Sequence, residues 1–362
     1  MTYTIVQEFP NKALLQDHPA AVSIYMPTHR MYTERERDIL VYKNLVKDID
    51  SMLEERLDKK AAAIFSDALH ALETDLDLWN ESLDGLAMFA TLDEIVVYRL
   101  PEPVPAFATV GTQFHLGPIM QVFQTHNSVV LLALNADRFG LYQAGPYGIR
   151  PLDLPESIPT TLPEVLGHHH TDKYHTHGSY SSTSNRSTFH GHGGAPAEEE
   201  LDQLRFFTRI NQLLSSYLPD TYPMPVIVVG LDHLQAEFMK HSTIASLESP
   251  GILGSFDDFE ETDLLAILSE RATTSMAATI VPLIERYHAL KNEGLSAPDS
   301  TKLHSALSEG RVDTLFMAAD ADELADHGNS MLHQALAKGT KVWILENEQM
   351  PEPTIAAGLF RY

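Results

Sequence analysis

The chain has 362 residues, 44% of them hydrophobic, no cysteine and a formal net charge of −25. Such a length suits two or three domains, each with a core. The missing thiols exclude disulfides and thiolate zinc sites, and the charge argues against broad electrostatic adhesion to nucleic acid, which takes clustered Lys and Arg.

Residues 1–8 lack the basic-then-apolar pattern of a secretory signal. No unbroken apolar run approaches the roughly 20 residues of a membrane span. A soluble cytoplasmic protein without membrane contact is expected. In chain order, residues 22–26 read as a strand stopped by Pro27. The spacing of Tyr42, Leu45, Val46, Ile49, Met52, Leu53 and Leu57 predicts a helix over 33–57. Thr33 and Glu36 have the spacing of a capping box at its start. A second helix is expected over 61–79 and a hairpin over 86–91 and 94–100. Prolines 101, 103 and 105 then break the pattern. Residues 1–124 are read as one α/β domain.

A second domain, 125–248, begins with three apolar runs at 129–134, 139–144 and 148–154, the pattern of an antiparallel meander. A helix over 198–218 follows, its apolar face formed by Leu201, Leu204, Phe207, Ile210, Leu213, Leu214 and Tyr217. Glu198, Glu199 and Glu200 lie at its start, where the helix dipole favours them. A buried strand at 225–230, a helix at 234–242 and a short strand or turn at 251–254 complete the series. Three strands, helix, strand, helix, strand is an RNase H-like element order. The third domain, 249–362, alternates helices (260–290, 301–309, 324–338) with strands (312–318, 341–345, 355–359). That alternation implies a small sheet with crossover helices. The fold class is therefore α/β in three domains.

Between the meander and its helix lies a segment, 167–196, that holds seven of the eighteen histidines: His168, His169, His170, His175, His177, His190 and His192. Serine, threonine and glycine fill the rest, and the segment closes in Gly191, His192, Gly193, Gly194, Ala195 and Pro196. A stretch this polar cannot bury enough apolar surface to order itself, and one this long inside a compact domain is either functional or disordered. Glycines allow close backbone approach to a ligand. Histidines stack on bases and, when charged, meet phosphate. Lys173 and Arg186 stand against Asp172 alone, so charge inverts locally. The rival reading is a metal site at His168, His170, His175 and His177, since imidazole suits zinc, copper or nickel. No helical pair of histidines with a neighbouring acid is present to fix it.

Three lesser candidates stand elsewhere. Thr28, His29 and Arg30 follow a strand and, with Lys43 and Asn44, form a candidate polar patch; capping and helix packing explain them as well. Asp232 and His233 follow a buried strand, and helix capping by Asp232 is the simpler reading. Asp257, Asp258, Glu260, Glu261 and Asp263 form an acidic run near a helix start, in keeping with the helix dipole. No phosphate-cradling loop and no Gly-x-Ser-x-Gly elbow is present.

Taken together, the run from Ser23 to Arg30 with Lys43-Asn44-Leu45 in the helix after it, the meander with its glycine-ended loop, and residues 309–316 with the closing 356–362 resemble the bacterial proteins related to archaeo-eukaryotic class I release factors and to Pelota. The resemblance spans essentially the whole chain. It implies a ribosome-associated factor, working in rescue, hibernation or termination, with rRNA and tRNA as partners. The middle-domain loop would reach toward the A site through His190, Gly191, His192, Gly193 and Gly194, with Arg186 and Lys173 as further contacts. It likens the third domain to the kink-turn-binding ribosomal-protein fold, which recruits a protein partner. Release factors carry Gln after the two glycines; this chain has Ala195, so intrinsic catalysis and a cofactor are not expected. The alternatives are a metal-dependent hydrolase of RNA or nucleotides using the histidines, and a non-catalytic module whose acidic surface binds a basic protein.

Overall fold

The structure, a computed structural model, describes every residue except 1, 8, 10, 127, 168–194 and 320–327. It holds three sheets in two compact units. The first unit comprises Met1–Asn127 and Ser269–Tyr362, and the second Ser128–Leu268.

In the first unit, β1 (Tyr3–Ile5), β2 (Ala21–Pro27), β3 (Gly85–Ala90), β4 (Ile95–Leu100) and β5 (Phe107–Gly111) form a sheet in the order β1-β4-β3-β2-β5. Alternate residues of β2 point to opposite faces. Val22, Ile24 and Met26 meet Tyr42, Val46, Ile49 and Leu53 of α1 (Arg35–Arg56), and Phe65 and Leu69 of α2 (Lys59–Ala71). Ala21 and Tyr25 face a second core built with Phe114, Leu116 and Ile119. Both faces are covered, which is why β2 carries apolar side chains on both, with Ser23 the one polar residue between Ala21 and Met26.

The same second core takes in the other sheet of this unit. There β11 (Ser296–Pro298), β12 (Val312–Ala318), β13 (Lys341–Leu345) and β14 (Ala356–Phe360) run in the order β11-β14-β12-β13, with β12 and β13 parallel. Leu303 and Leu307 of α9 (Thr301–Ser308) and Met331, Leu332 and Ala335 of α10 (Asn329–Ala337) cover the face shared with the first sheet. Ile280 and Tyr287 of α8 (Glu261–Leu290) cover the opposite face against Phe316, Leu345 and Leu359. Backbone hydrogen bonding at the exposed edge of β13 is completed by a side chain. Gln124, in α4 (Gly117–Thr125), accepts from Ile344 N at 2.8 Å and donates to Ile344 O at 3.1 Å.

The second unit has the strand order β10-β9-β6-β7-β8. The antiparallel meander is β6 (Val129–Leu134), β7 (Phe139–Gly145) and β8 (Gly148–Pro151); β9 (Val226–Gly230) and β10 (Leu247–Leu253) run parallel to β6. Phe206, Phe207, Ile210 and Leu214 of α6 (Ala195–Thr221) and Phe238 of α7 (Asp232–Lys240) pack on one face. Leu264 of α8 is buried on the other, with Ile267 and Leu268 beside it. The element order read from the sequence is therefore present, and its strands form one sheet.

Several expectations change. The first helix opens with a 3-10 turn at Tyr32–Glu34, its N-cap is Glu34, and no side chain caps it, so Thr33 and Glu36 form no capping box. The second helix is broken: Asp75 accepts from Asp77 N and Leu78 N and starts the separate α3 (Leu76–Asn80). The strands β1, β5 and β11 and the helix α4 are additions. Leu201 is 45% exposed and stands outside the buried face of α6. The second unit continues past residue 248 because β10 straddles that position and the first turns of α8 cover its sheet. By length and composition α8 is apolar enough to cross a membrane, a property its interspersed charges hide from a search for unbroken runs. Its buried side chains pack on sheets at both ends.

Candidate functional site

The histidine and glycine segment leaves from and returns to fixed structure. On its N-terminal side, α5 (Leu162–Leu166) is preceded by Thr160 and Thr161, whose backbone N–H groups both donate to the Glu164 carboxylate, at 2.8 and 3.1 Å. Those two bonds hold the Glu164 pKa below its usual range. Phe139 N donates to Thr160 O at 3.0 Å and Leu162 N to Asp137 O at 2.8 Å, tying this stem to the turn between β6 and β7. Gly167 closes α5 with φ +59°, a value that favours glycine. On the C-terminal side the chain enters α6, which the four buried side chains named above anchor to the sheet. His168, His170, His175, His177, Lys173, Arg186, His190, Gly191, His192, Gly193 and Gly194 all lie outside the described residues. Among the described residues no three His, Asp or Glu side chains are grouped to hold a metal.

Nearby candidates resolve into structural roles. Asp232 stands in the first turn of α7 with Leu231 as N-cap, so it does not cap the helix through its side chain; it and His233 are exposed. In the acidic run, Asp257 pairs with Arg138 at 2.8 Å, and Glu261 accepts from Ile149 N at 2.9 Å. Both therefore pin the meander. Glu261 and Asp263 also occupy the first turn of α8, as the dipole favours.

The proposed N-terminal patch separates into distinct contacts. Thr28 is buried, and its hydroxyl donates to Leu83 O at 2.9 Å. Arg30 makes a forked contact with Asp84, its closest approach 2.8 Å. Lys43 reaches Glu73 at 3.5 Å, and Asn44 is exposed. His29 is the member of the patch held by a buried carboxylate. Buried Asp38 accepts from its ring Nδ1 at 2.7 Å and from its backbone N–H at 2.9 Å, leaving Nε2 3.7 Å from Glu34. A carboxylate thus orients an imidazole, and the partners of its ring are the carboxylates of Asp38 and Glu34.

Sequence reasoning missed two buried neighbouring histidines, His115 and His333. His115 is 1% exposed, its backbone N–H donates to Ser23 Oγ, and its ring lies 4.9 Å from that of Phe107. His333 donates through Nε2 to Phe114 O at 2.7 Å. Burial and the neighbouring His333 push the His115 pKa down to about 4, and burial also lowers that of His333. Two apolar runs far apart in sequence bury these rings, so no local pattern marks them.

Comparison with known proteins agrees with the resemblance. Residues 127–271 match the family described as bacterial archaeo-eukaryotic release factor family 6, a span that takes in the second unit and the histidine segment. No curated protein matches the chain. Among solved structures, the chain is similar to the archaeal translation termination factor aRF1 (16% identity, 96% of this chain and 94% of that one, TM-score 0.26). It is also similar to archaeal Pelota in a model of ribosome-bound Pelota and ABCE1 (12%, 72% and 70%, TM-score 0.41), and to S. cerevisiae Dom34, a translation termination-like factor (9%, 77% and 79%, TM-score 0.40). Superposition over the whole chain is poor in each case, so the functional reading rests on the family match.

Proposed function

We propose that this release-factor-related protein is a ribosome-associated translation factor of the Pelota-like kind, acting in rescue, hibernation or termination-like work in the cytoplasm. The observation that carries the reading is the family match over 127–271, which takes in the sheet, both loop stems and the histidine and glycine segment. The strand order of that unit, a meander with two parallel strands added beside β6, supports an RNase H-like middle domain. We assign the first sheet to an N-terminal domain, and the mixed sheet of β11 to β14 to a C-terminal domain like the kink-turn-binding ribosomal-protein fold, with a protein partner.

In this reading His190, Gly191, His192, Gly193 and Gly194 reach the A site. They act by backbone approach and stacking on rRNA or tRNA, and Lys173 and Arg186 meet phosphate. Ala195 offers no side-chain amide to position water, so the role we assign does not rest on peptidyl-tRNA hydrolysis. Two-ended anchoring suits such a loop, because rigid stems limit where its tip can reach.

Co-sedimentation of the purified protein with 70S ribosomes, with and without residues 168–194, tests this. Loss of binding on deletion is expected. Unchanged binding refutes loop docking, and no binding of the intact chain refutes the ribosomal role. Stoichiometric metal in protein purified without metal columns, with chelator-sensitive hydrolysis of RNA or nucleotides, would replace it with the hydrolase reading.

A further inference from the structure

On a chain of net charge −25, one end of the β11 to β14 sheet collects cations. Arg311 directly precedes β12 and Arg361 directly follows β14, and Arg361 N donates to Arg311 O at 2.8 Å. Lys341 opens β13 in register with Thr314 of β12. Lys338 is the C-cap of α10, and its Cδ lies 3.7 Å from the place a Cβ on Gly310 would take. Backbone pairing therefore gathers four cations from separate elements around the start of β12. Lys338, Lys341 and Arg361 are exposed. Among the described residues Arg311 is the one of the four in an ion pair, with Glu309 at 2.6 Å.

Two further features give this rim a chemistry. Gly310 and Gly339 have φ +71° and +66°, and nothing lies within 4 Å of a Cβ built on Gly339, so the backbone there is open to close approach. Tyr362 is 72% exposed beside Arg361 and offers an aromatic face. Cations at helix C-termini complement the helix dipole, which accounts for Lys338 and for Arg311 just past α9. It does not account for Lys341 and Arg361, which stand at strand ends.

We infer that this rim docks the phosphodiester backbone of RNA, with Lys338, Lys341 and Arg361 on phosphates and Tyr362 against a base. Isolated cations with open backbone and an aromatic neighbour fit single-stranded or looped RNA better than a protein surface, which would call for apolar contact as well. The inference rests on the ribosomal reading above and deepens it by naming a second contact, on a different unit of the chain.

The test uses the full chain and a fluorescein-labelled 20-nucleotide RNA, free of protein, read by anisotropy between 50 and 300 mM KCl. The triple variant Lys338→Gln/Lys341→Gln/Arg361→Gln is compared with the wild type, and matched melting temperatures show that it folds. About three lost phosphate contacts should flatten the log–log salt slope by about 2, at ~0.7 per contact on a single strand. At 100 mM salt the affinity should fall at least about tenfold, which is the loss expected from one good charged contact or more. No RNA binding by the wild type, an unchanged slope in the variant, or equal binding of poly-glutamate overturns the inference. Co-sedimentation with 70S ribosomes is read separately. RNA binding through the rim without ribosome binding refutes the ribosomal reading alone. Loop-dependent ribosome binding with an unaltered RNA slope refutes the rim alone.

Discussion

Acid should destabilise this protein through His115 in a way one substitution removes. Both ring nitrogens of His115 are buried without a hydrogen-bond partner among the described residues, and the ring packs against those of Phe107 and Tyr25. Its pKa falls from 6.5 in the unfolded chain to about 4 in the folded one. Between those values the unfolded state binds more protons, so stability is full above the unfolded pKa and is lost as pH falls toward the folded pKa. The full effect is about 3 kcal/mol at 1.36 kcal/mol per pKa unit, and about 2 kcal/mol of it is gone by pH 5. His333, also lowered, adds in the same direction. Urea unfolding of the wild type and of His115→Phe, at pH 7 and pH 5, measures it. A phenyl ring suits this apolar slot, so the two should lie within about 1.5 kcal/mol of each other at pH 7. By pH 5 the balance should move about 2 kcal/mol toward the variant. Groups that titrate in the opposite sense cancel in the comparison, such as His70, whose pKa is raised by its bonds to Glu73 and Asp50. A wild-type-minus-variant difference that is the same at both pH values would refute the argument.

Two further substitutions test single contacts. Gln124→Ala strips Ile344 of both its partners at the β13 edge and should cost about 1–3 kcal/mol in chemical denaturation; a change under a few tenths would show that water replaces the amide. Gly251→Ala places a Cβ 2.6 Å from Val228 O and closer still to Gln235 Oε1. Buried Gln235 donates to Gly230 O and Ile252 O, so it cannot yield freely, and a loss of about 1–3 kcal/mol is expected. A neutral outcome would mean that β10 shifts on its own.

Strands buried on both faces were legible because their residues are mostly apolar, with only Ser23, Asp313 and Thr314 interrupting: 22–26, 129–134, 226–230 and 312–318 all lie in strands. Short edge strands were not legible. β1 and β11 have three residues each, too few for any period, and owe their pairing to β4 and β14. Thr33 and Glu36 show the limit of a local signature, since the chain enters α1 through a 3-10 turn and Asp38 is taken by His29. The same limit governed the N-terminal patch. Thr28, Arg30 and Lys43 are close in sequence, but Leu83, Asp84 and Glu73 decide where each side chain goes. The histidine segment was conspicuous for the opposite reason: its composition departs from everything around it, and composition needs no partner to be read.

The core shared by the first and last sheets has a consequence for synthesis. Tyr25, Phe89 and Tyr98 share that core with Leu303, Leu315 and Leu332, so the earliest strands wait for residues more than two hundred positions later. The intervening unit closes its own sheet within Ser128–Leu268. On a translating ribosome it can therefore finish first, while an apolar face of the older segment stays open to solvent and to chaperones. Late mutations such as those at Leu303 or Leu332 should accordingly act on yield through that unfinished intermediate as well as through the finished protein.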